Sequence, residues 1–283
     1  MKVIVKVRKF YTKLWKKIKI LFEDRQYHWN RWVLRITIDS APVFIVGCGH
    51  SGTSILLTIL GAHSRIHAVP YESRVAIINK KSKFHRKLKE FDKQAVVARK
   101  RRWVEKTPRH ILHIGKILKW QPNAKIILII KDGRDVAYSI QKRTDSLEGG
   151  IKRWVEDNLA GKKYWGDPNV HVMKYEDLIT DFETTITGVL SFLNEEYECE
   201  MKDYHTKPRK WYSDVISKPE TVHEGKNHEQ YRNWQINQPL FDGRGRWKEM
   251  SADELFFINS IGGSMLAELD YAKTDDSIVE IQD

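Results

Sequence analysis

The chain has 283 residues, enough for one large domain or two small ones with a sizeable buried core. Its 30% charged and 41% hydrophobic residues fit neither collagen-like and low-complexity chains nor integral membrane proteins. The 49 basic residues outnumber the 37 acidic ones and give a net charge of +12, so we expect an anionic partner: a phosphorylated cofactor, nucleic acid, an acidic glycan or a membrane surface.

Residues 1–40 form a basic N-terminal segment with a helical pattern. They contain eleven Lys or Arg against three acidic residues. Apolar residues recur at helical spacing at Phe10, Leu14, Ile18 and Leu21. The pattern predicts a basic amphipathic helix, either packed on the domain with its lysines in water or anchoring the protein to an anionic membrane or acidic substrate.

The following part of the chain alternates short apolar runs with helical periods, which predicts a parallel sheet with crossover helices. Strands are predicted over 42–46, 125–130 and 170–174, and helices from Ile55, over 111–118, over 135–143 and over 182–193. The continuous apolar centre of 125–130 indicates a strand covered on both faces. The predicted class is α/β, a three-layer P-loop-like fold with a central parallel sheet flanked by helices.

Periodicity fades between residues 202 and 246, where Trp, Tyr, His, Asn and Lys are frequent. This composition predicts an irregular lid over a substrate or cofactor. We therefore divide the chain into the segment 1–40 and one domain over 41–283 that includes this lid.

Residues 43–57 predict a strand, a glycine-rich turn and the start of a helix. Gly47, Gly49 and Gly52 permit tight backbone geometry, and the amides at the helix start would face a phosphate or a similar oxyanion. The ATP and GTP loop has the form GxxxxGK[ST], but Thr53 follows Gly52 here and the lysine is missing. A P-loop kinase, with Asp132 as a magnesium ligand, therefore stays the weaker alternative.

The turn His50-Ser51-Gly52-Thr53-Ser54 resembles the 5′-phosphosulfate loop of sulfotransferases that use 3′-phosphoadenosine 5′-phosphosulfate (PAPS). That family has lysine or arginine where this chain has His50. Lys131 and Ser139 match the spacing of the family's 3′-phosphate binders. Three further segments agree in order over residues 42–255: Glu105-Lys106-Thr107-Pro108, Tyr175-Glu176-Asp177-Leu178 and Gly245-Arg246-Trp247. The motif style is most similar to protein-tyrosine and bacterial carbohydrate sulfotransferases.

The resemblance implies PAPS as cofactor and a role for each matching residue. Since amides and lysines could meet the charge demand, we predict no obligatory metal ion. Glu72 would be the general base, Lys106 the cation at the transferring sulfonate, and His50 a hydrogen-bond donor or acid to the leaving phosphate. The donor would be bound by His50, Ser51, Gly52, Thr53 and Ser54 at the phosphosulfate, by Lys131, Ser139 and Arg246 with help from Arg244 at the 3′-phosphate, and by Tyr175 at adenine.

Each of these assignments has a structural alternative. Glu72 could be a surface carboxylate paired with Arg74, Lys106 a solvated charge at a strand end, and Trp247 a packing residue. Arg134 could pair with Asp132 or Asp135. The basic run between Lys80 and Arg102 would suit a nucleic-acid-binding protein, but the chain lacks the short recognition motifs of such modules.

The expected function is transfer of a sulfuryl group from PAPS to a hydroxyl, most simply on a carbohydrate, with an acidic tyrosine-containing peptide as the rival acceptor. A nucleic-acid or anionic-surface binding protein is the alternative of another class. The two cysteines predict no disulfide scaffold, and no apolar stretch resembles a leader or a span. We therefore expect a cytoplasmic protein, with peripheral membrane association through its N-terminus as an option.

Overall fold

A five-stranded parallel sheet forms the centre of the protein. The computed structural model describes residues 2–38, 41–220 and 227–271. The strands are β1 (Val43–Gly47), β2 (Ile66–Ala68), β3 (Arg102–Lys106), β4 (Lys125–Ile130) and β5 (Val170–Lys174), in the spatial order β2-β3-β1-β4-β5. Strands β4 and β5 have the predicted bounds, β1 is shifted by one residue, and β2 and β3 are additional to the three predicted strands.

The helices in the described residues are α1 (Lys2–Trp32), α2 (Thr53–Leu60), α3 (Lys81–Val97), α4 (Ile114–Trp120), α5 (Gly133–Thr144), α6 (Leu147–Lys162), α7 (Tyr175–Thr180), α8 (Phe182–Phe192), α9 (His228–Gln235) and α10 (Ala252–Glu268). Short 3₁₀ turns cover Val75–Ile77, Pro108–His113, Cys199–Met201, Tyr204–Thr206 and Arg246–Glu249. Side chains of Asp132, Ser146, Asp181 and Ser251 accept backbone N–H bonds at the starts of α5, α6, α8 and α10.

Both faces of the sheet are covered, as the apolar centre of β4 predicts. Alternate residues of β1 point to opposite sides: Phe44 joins a core with helices α3, α5, α6 and α10, whereas Ile45 joins a second core with α2 and α8. The three-layer arrangement with a central parallel sheet is therefore confirmed.

Helix α1 lies on the outside of this domain. Its C-terminal half packs against α3, where the buried amide of Asn30 donates hydrogen bonds to the carbonyls of Val96 (2.9 Å) and Val97 (3.2 Å). The other side of the helix carries a stripe of exposed apolar residues: Leu14, Trp15, Ile18, Leu21, Phe22, Trp29 and Trp32. None of the described helices combines the length and apolar character that crossing a bilayer requires.

The predicted lid over 202–246 contains α9 and a 3₁₀ turn between irregular stretches, and its residues 221–226 lie outside the described residues. Residues 39–40 and 272–283 of the predicted segments lie outside them too.

Candidate active site

A cavity of about 660 Å³ opens at the carboxyl ends of β1, β3 and β4. Parallel α/β sheets bind ligands at this edge because the strand ends and the helix N-termini that follow them converge there. Its walls come from the turn after β1, the segments following β3 and β4, and helices α5 and α6. The remaining wall is the late segment, residues 202–220 and 227–246, which includes α9. Of the predicted site residues, it is lined by His50, Gly52, Thr53, Ser54, Glu72, Lys106, Lys131, Ser139, Tyr175 and Arg246.

The glycine-rich turn has the geometry of an anion cradle. Gly52 has φ +87°, and a Cβ atom on it would lie 2.5 Å from Cδ2 of Tyr175, so a larger residue does not fit. No side chain caps α2, which starts directly after Gly52. The unpaired amides at this helix start can therefore bind an oxyanion beside Thr53 and Ser54. Ser51 is buried beneath the turn.

His50 is directed toward α5. Its backbone has φ +72°, a left-handed conformation that is uncommon outside glycine. Its Nδ1 lies 2.8 Å from the hydroxyl oxygen of Ser139, the predicted 3′-phosphate binder. The imidazole thus connects α5 with the glycine-rich turn between β1 and α2, which we call the phosphate turn.

Glu72 and Lys106 form an ion pair in the cavity. The ammonium of Lys106, which is fully buried, donates to Oε1 of Glu72 over 2.7 Å. The guanidinium of Arg232, from α9, donates to the same oxygen over 2.8 Å. Burial raises the pKa of Glu72, but these two cations outweigh it and lower the pKa from 4.5 to about 2. Glu72 is therefore ionised near neutral pH.

Lys131 and Tyr175 meet the late segment on the other side of the turn. Lys131 Nζ donates to the carbonyl of Gly243 (3.0 Å) and lies 4.4 Å from the ring centroid of Tyr175. Burial lowers the pKa of Lys131. The hydroxyl of Tyr175 donates to the carbonyl of Phe241 over 3.2 Å, and burial raises its pKa to about 12. Backbone of the late segment therefore closes this end of the cavity.

A family model described as sulfotransferase domain matches residues 40–238, well over half of the chain. The chain belongs to the sulfotransferase family. A protein of Aquifex aeolicus (strain VF5) described only as uncharacterized is 22% identical to this chain. The match covers 73% of this chain and 35% of that protein, so the chain spans about a third of its relative's length.

Solved structures of sulfotransferases share the fold. The sulfotransferase domain from the curacin biosynthetic pathway is 16% identical, with a TM-score of 0.55 over 82% of this chain and 98% of that one. Mouse sulfotransferase SULT7A1 complexed with PAP is 15% identical, with a TM-score of 0.55 over 83% of this chain and 87% of that one. The domain from the Synechococcus PCC 7002 olefin synthase is 14% identical, with a TM-score of 0.53 over 78% and 95%.

The structure decides between several of the alternatives that the sequence leaves open for individual residues. Glu72 pairs with Lys106 and Arg232 rather than with Arg74. Asp132 caps α5 and pairs with Arg134 at 2.7 Å, which gives this carboxylate a structural role. Trp247 is buried beneath the Arg134 guanidinium and is a packing residue. Among the described residues, no group of three or more His, Cys, Asp or Glu is placed to hold a metal ion.

Other cationic residues of the cavity are not predicted from the sequence. Arg232, Arg109, Arg143 and Arg153 line it, whereas the guanidinium of the predicted Arg244 pairs with Asp242 at 2.7 Å outside the lining. No local motif marks these arginines, because they come from α9, a 3₁₀ turn, α5 and α6. Only the packing of these elements around the strand ends brings them together.

Proposed function

We propose that this protein transfers the sulfuryl group of PAPS to a hydroxyl of a carbohydrate. The observation that carries the proposal is the Glu72–Lys106 pair at 2.7 Å, which lies in one cavity with the uncapped start of α2. A base and a buried cation beside an oxyanion cradle are the groups that sulfuryl transfer needs.

The residues present fit the donor. The glycine turn leaves no room for a side chain at Gly52 and would cradle the phosphosulfate with the amides and hydroxyls of Thr53 and Ser54. Lys131, Ser139 and Arg246 would hold the 3′-phosphate, with His50 placed between the two phosphate sites by its contact with Ser139. Arg244 would join them only by leaving Asp242. The ring of Tyr175, packed against Gly52, would contact adenine.

The transfer forms one bond and breaks one. The acceptor oxygen bonds to the sulfur while the bond between sulfur and the bridging phosphate oxygen breaks, and its electron pair leaves with adenosine 3′,5′-bisphosphate (PAP). Glu72 takes the proton of the acceptor hydroxyl, and Lys106 stabilises the charge that develops on the bridging oxygen. Since protein cations meet the charge demand, the proposal needs no metal ion.

Unpaired arginines support an acidic carbohydrate as the acceptor. Arg74, Arg109 and Arg143 line the cavity beyond Glu72, and within the described ranges none has a carboxylate at ion-pair distance. Burial lowers the pKa of Arg143, and the nearby charges of Arg153 and Arg232 lower it further. Carboxylate or sulfate groups on a glycan would neutralise this excess of positive charge.

Helix α1 supports peripheral association with an anionic membrane as part of the same proposal. Trp15, Phe22 and Trp32 are 70%, 73% and 74% exposed on the stripe that faces away from the domain. Residues 2–32 carry ten basic and two acidic side chains, so two such helices would repel each other, whereas an anionic bilayer offers opposite charge and an apolar layer.

A labelled-donor assay tests the transfer. We expect label from PAPS to reach a uronate-containing oligosaccharide, and to reach its carboxyl-reduced counterpart more slowly. The variant Glu72→Gln should lose about 10²–10⁴-fold in kcat, the usual contribution of a general base. Glu148→Gln, at an exposed pair with Lys152, is the matched control. If only an acidic tyrosine-containing peptide is labelled, that peptide replaces the carbohydrate as the proposed acceptor. Label reaching no acceptor would overturn the proposal.

Vesicle sedimentation tests the membrane contact. We expect binding to phosphatidylcholine vesicles containing phosphatidylglycerol and much weaker binding to phosphatidylcholine alone. Replacing Trp15 and Phe22 together by glutamate should lower binding about 10-fold. Ile20→Glu, an exposed position about 160° around the helix from Phe22, is the control. Equal binding by both variants would contradict a bilayer contact through the stripe.

A further inference from the structure

The phosphate turn of this chain lacks a permanent cation. The resemblance places lysine or arginine at the position of His50, and the structure directs the His50 ring to the Ser139 hydroxyl at 2.8 Å. That contact lies on the 3′-phosphate side of the cavity. A sulfonate at the start of α2, beside Ser54 and Glu72, would therefore not meet a positive charge from the turn itself.

Arg232 lies at the place that the turn leaves without a cation. Its Nη2 is 2.8 Å from Oε1 of Glu72 and 3.5 Å from the hydroxyl of Ser54. The Tyr212 ring lies against the guanidinium, with its centroid 4.2 Å from Cζ. The same ring lies 5.7 Å from the ammonium of Lys106. One aromatic ring therefore holds both cations at the sulfonate side of the cavity.

Hydrogen bonds within the late segment hold Arg232 in this position. Asn233, fully buried and next to Arg232 on α9, accepts hydrogen bonds from the backbone N–H groups of Trp211 (3.0 Å) and Tyr212 (3.3 Å). Its amide donates to the carbonyl of Val215 over 2.9 Å. These bonds fix the residues before α9 against the helix, so Tyr212 and Arg232 are positioned as a unit.

We propose that Arg232 binds the transferring sulfonate and replaces, from the late segment, the cation that the phosphate turn lacks. The inference rests on the proposed function, because it assumes that the phosphosulfate lies at the start of α2. Arg232 is then a catalytic residue, since its guanidinium contacts the group that is transferred.

The same placement explains how Glu72 becomes able to accept a proton. Without donor, Arg232 and Lys106 both hold its carboxylate, whose pKa of about 2 makes it a weak base. A sulfonate beside Ser54 competes for both cations because it carries its own negative charge. When they turn to the sulfonate, the pKa of Glu72 rises toward its ordinary value, and the acceptor proton can move to it. Donor binding thus prepares the base.

Nucleotide binding without acceptor separates this role from a structural one. PAPS and PAP share both phosphates and the adenosine, and only PAPS carries the sulfonate. We expect Arg232→Gln to weaken PAPS binding about 10- to 100-fold in calorimetry, the range of a charge-assisted hydrogen bond, and to leave PAP binding unchanged. Arg232→Lys should keep most of the preference. Lys210→Gln, an exposed charge in the same segment, should behave as wild type.

Three outcomes of the calorimetry distinguish the role of Arg232 from the proposed function. Equal weakening of PAPS and PAP by Arg232→Gln, or no weakening of either, would overturn the role of Arg232 and leave the proposed function standing. Wild-type protein that binds neither nucleotide would overturn the proposed function and this inference together. A selective loss of PAPS binding would support both.

A double variant tests whether a cation in the phosphate turn restores the activity lost with Arg232. Arg232→Gln should lower kcat by about 10²–10³-fold, the effect of removing one group that stabilises transition-state charge. Adding His50→Arg should return the cation to the turn and recover at least about 10-fold of that loss. His50→Arg alone is the control for loss of the His50–Ser139 contact. If that single variant stays active and the double variant recovers no rate over Arg232→Gln, the replacement of one cation by the other is wrong.

Discussion

The phosphate turn and the late segment line the same cavity but are held in place differently. The turn lies between β1 and α2 and is fixed by the close approach of Tyr175 to Gly52. The late segment has one short helix and is held by side-chain bonds to backbone, such as those of Asn233 and Asn237. In the proposed function, the sheet edge would therefore supply a rigid donor site, whereas the late segment would supply side chains that exchange partners during turnover.

Substitution at the turn should have the largest effect. Gly52→Ala places a methyl group 2.5 Å from Tyr175 Cδ2 in a left-handed backbone conformation. We expect PAP binding to weaken by at least about 100-fold, from strain and steric conflict together. Gly188→Ala, a helical site with nothing within 4 Å of the new Cβ, is the control. Near-normal PAP binding by Gly52→Ala would show that the turn is not the rigid part of the cavity.

Lys131 connects the two regions, since it touches the Gly243 carbonyl and the Tyr175 ring. Lys131→Met should weaken PAP binding about 10- to 100-fold and leave the binding of adenosine 5′-phosphate almost unchanged, because only PAP has the 3′-phosphate. Calorimetry with both nucleotides measures the difference. Arg244→Gln should have a smaller effect, because its charge is already paired with Asp242. Equal losses of affinity for both nucleotides would show that Lys131 does not bind the 3′-phosphate.

Asn233 tests the late segment alone. Asn233→Ala removes three hydrogen bonds of a fully buried side chain, which hold residues 211–215 against α9. We expect kcat to fall about 10-fold while PAP binding stays near wild type, since the loosened segment would misplace Tyr212 and Arg232 but not the turn. The control is Gln230→Ala, whose amide makes an exposed bond to the Ser217 carbonyl. Parallel losses of kcat and PAP binding would break the distinction between the regions.

The charge of Glu72 should also appear in stability, a readout separate from nucleotide binding and rate. Its pKa is lowered from 4.5 to about 2, so it stabilises the fold above pH 4.5, and this contribution is lost as the pH falls toward 2. The shift corresponds to about 2–3 kcal/mol, since the side chain is only 27% exposed. We expect Glu72→Gln to lower Tm by roughly 5 °C at pH 7.

The Tm difference should narrow as the pH falls below 4.5. Thermal unfolding of wild type and Glu72→Gln across this range measures the change, with Glu148→Gln as a surface comparison. A Tm difference that stays constant down to pH 3 would contradict the ion pairs of Glu72 with Lys106 and Arg232.

Local sequence patterns predict the sheet centre and the turn because their structure follows from neighbouring residues. The apolar run 125–130 predicts β4 with its bounds, and the glycine spacing predicts the loop before α2. Strand β2 has three residues, too few for a clear alternation, and Arg102, Glu105 and Lys106 interrupt the apolar pattern of β3. Helices α2 and α3 pack on these strands and bury them, which local periodicity does not show.

The candidate site is likewise predictable from the sequence only where its residues lie in recognisable local patterns. Glu72, Lys106 and Lys131 follow from motif resemblance, and the structure brings all three to one cavity. Arg232 does not, since 160 residues separate it from Glu72 and its position depends on how the late segment packs. The sequence predicts which residue types suit the chemistry at a strand end, but not which distant arginine completes the set.

Two adjacent charged residues of β3, Glu105 and Lys106, lie in different surroundings. Lys106 reaches the cavity, whereas the fully buried carboxylate of Glu105 accepts hydrogen bonds from the backbone N–H (3.0 Å) and hydroxyl (2.8 Å) of Ser73, the residue after Glu72. The buried carboxylate of Glu105 therefore holds the backbone next to Glu72, while the neighbouring Lys106 binds the Glu72 side chain. One buried carboxylate thereby keeps Glu72 and Lys106 in register, although they lie in two separate segments of the chain.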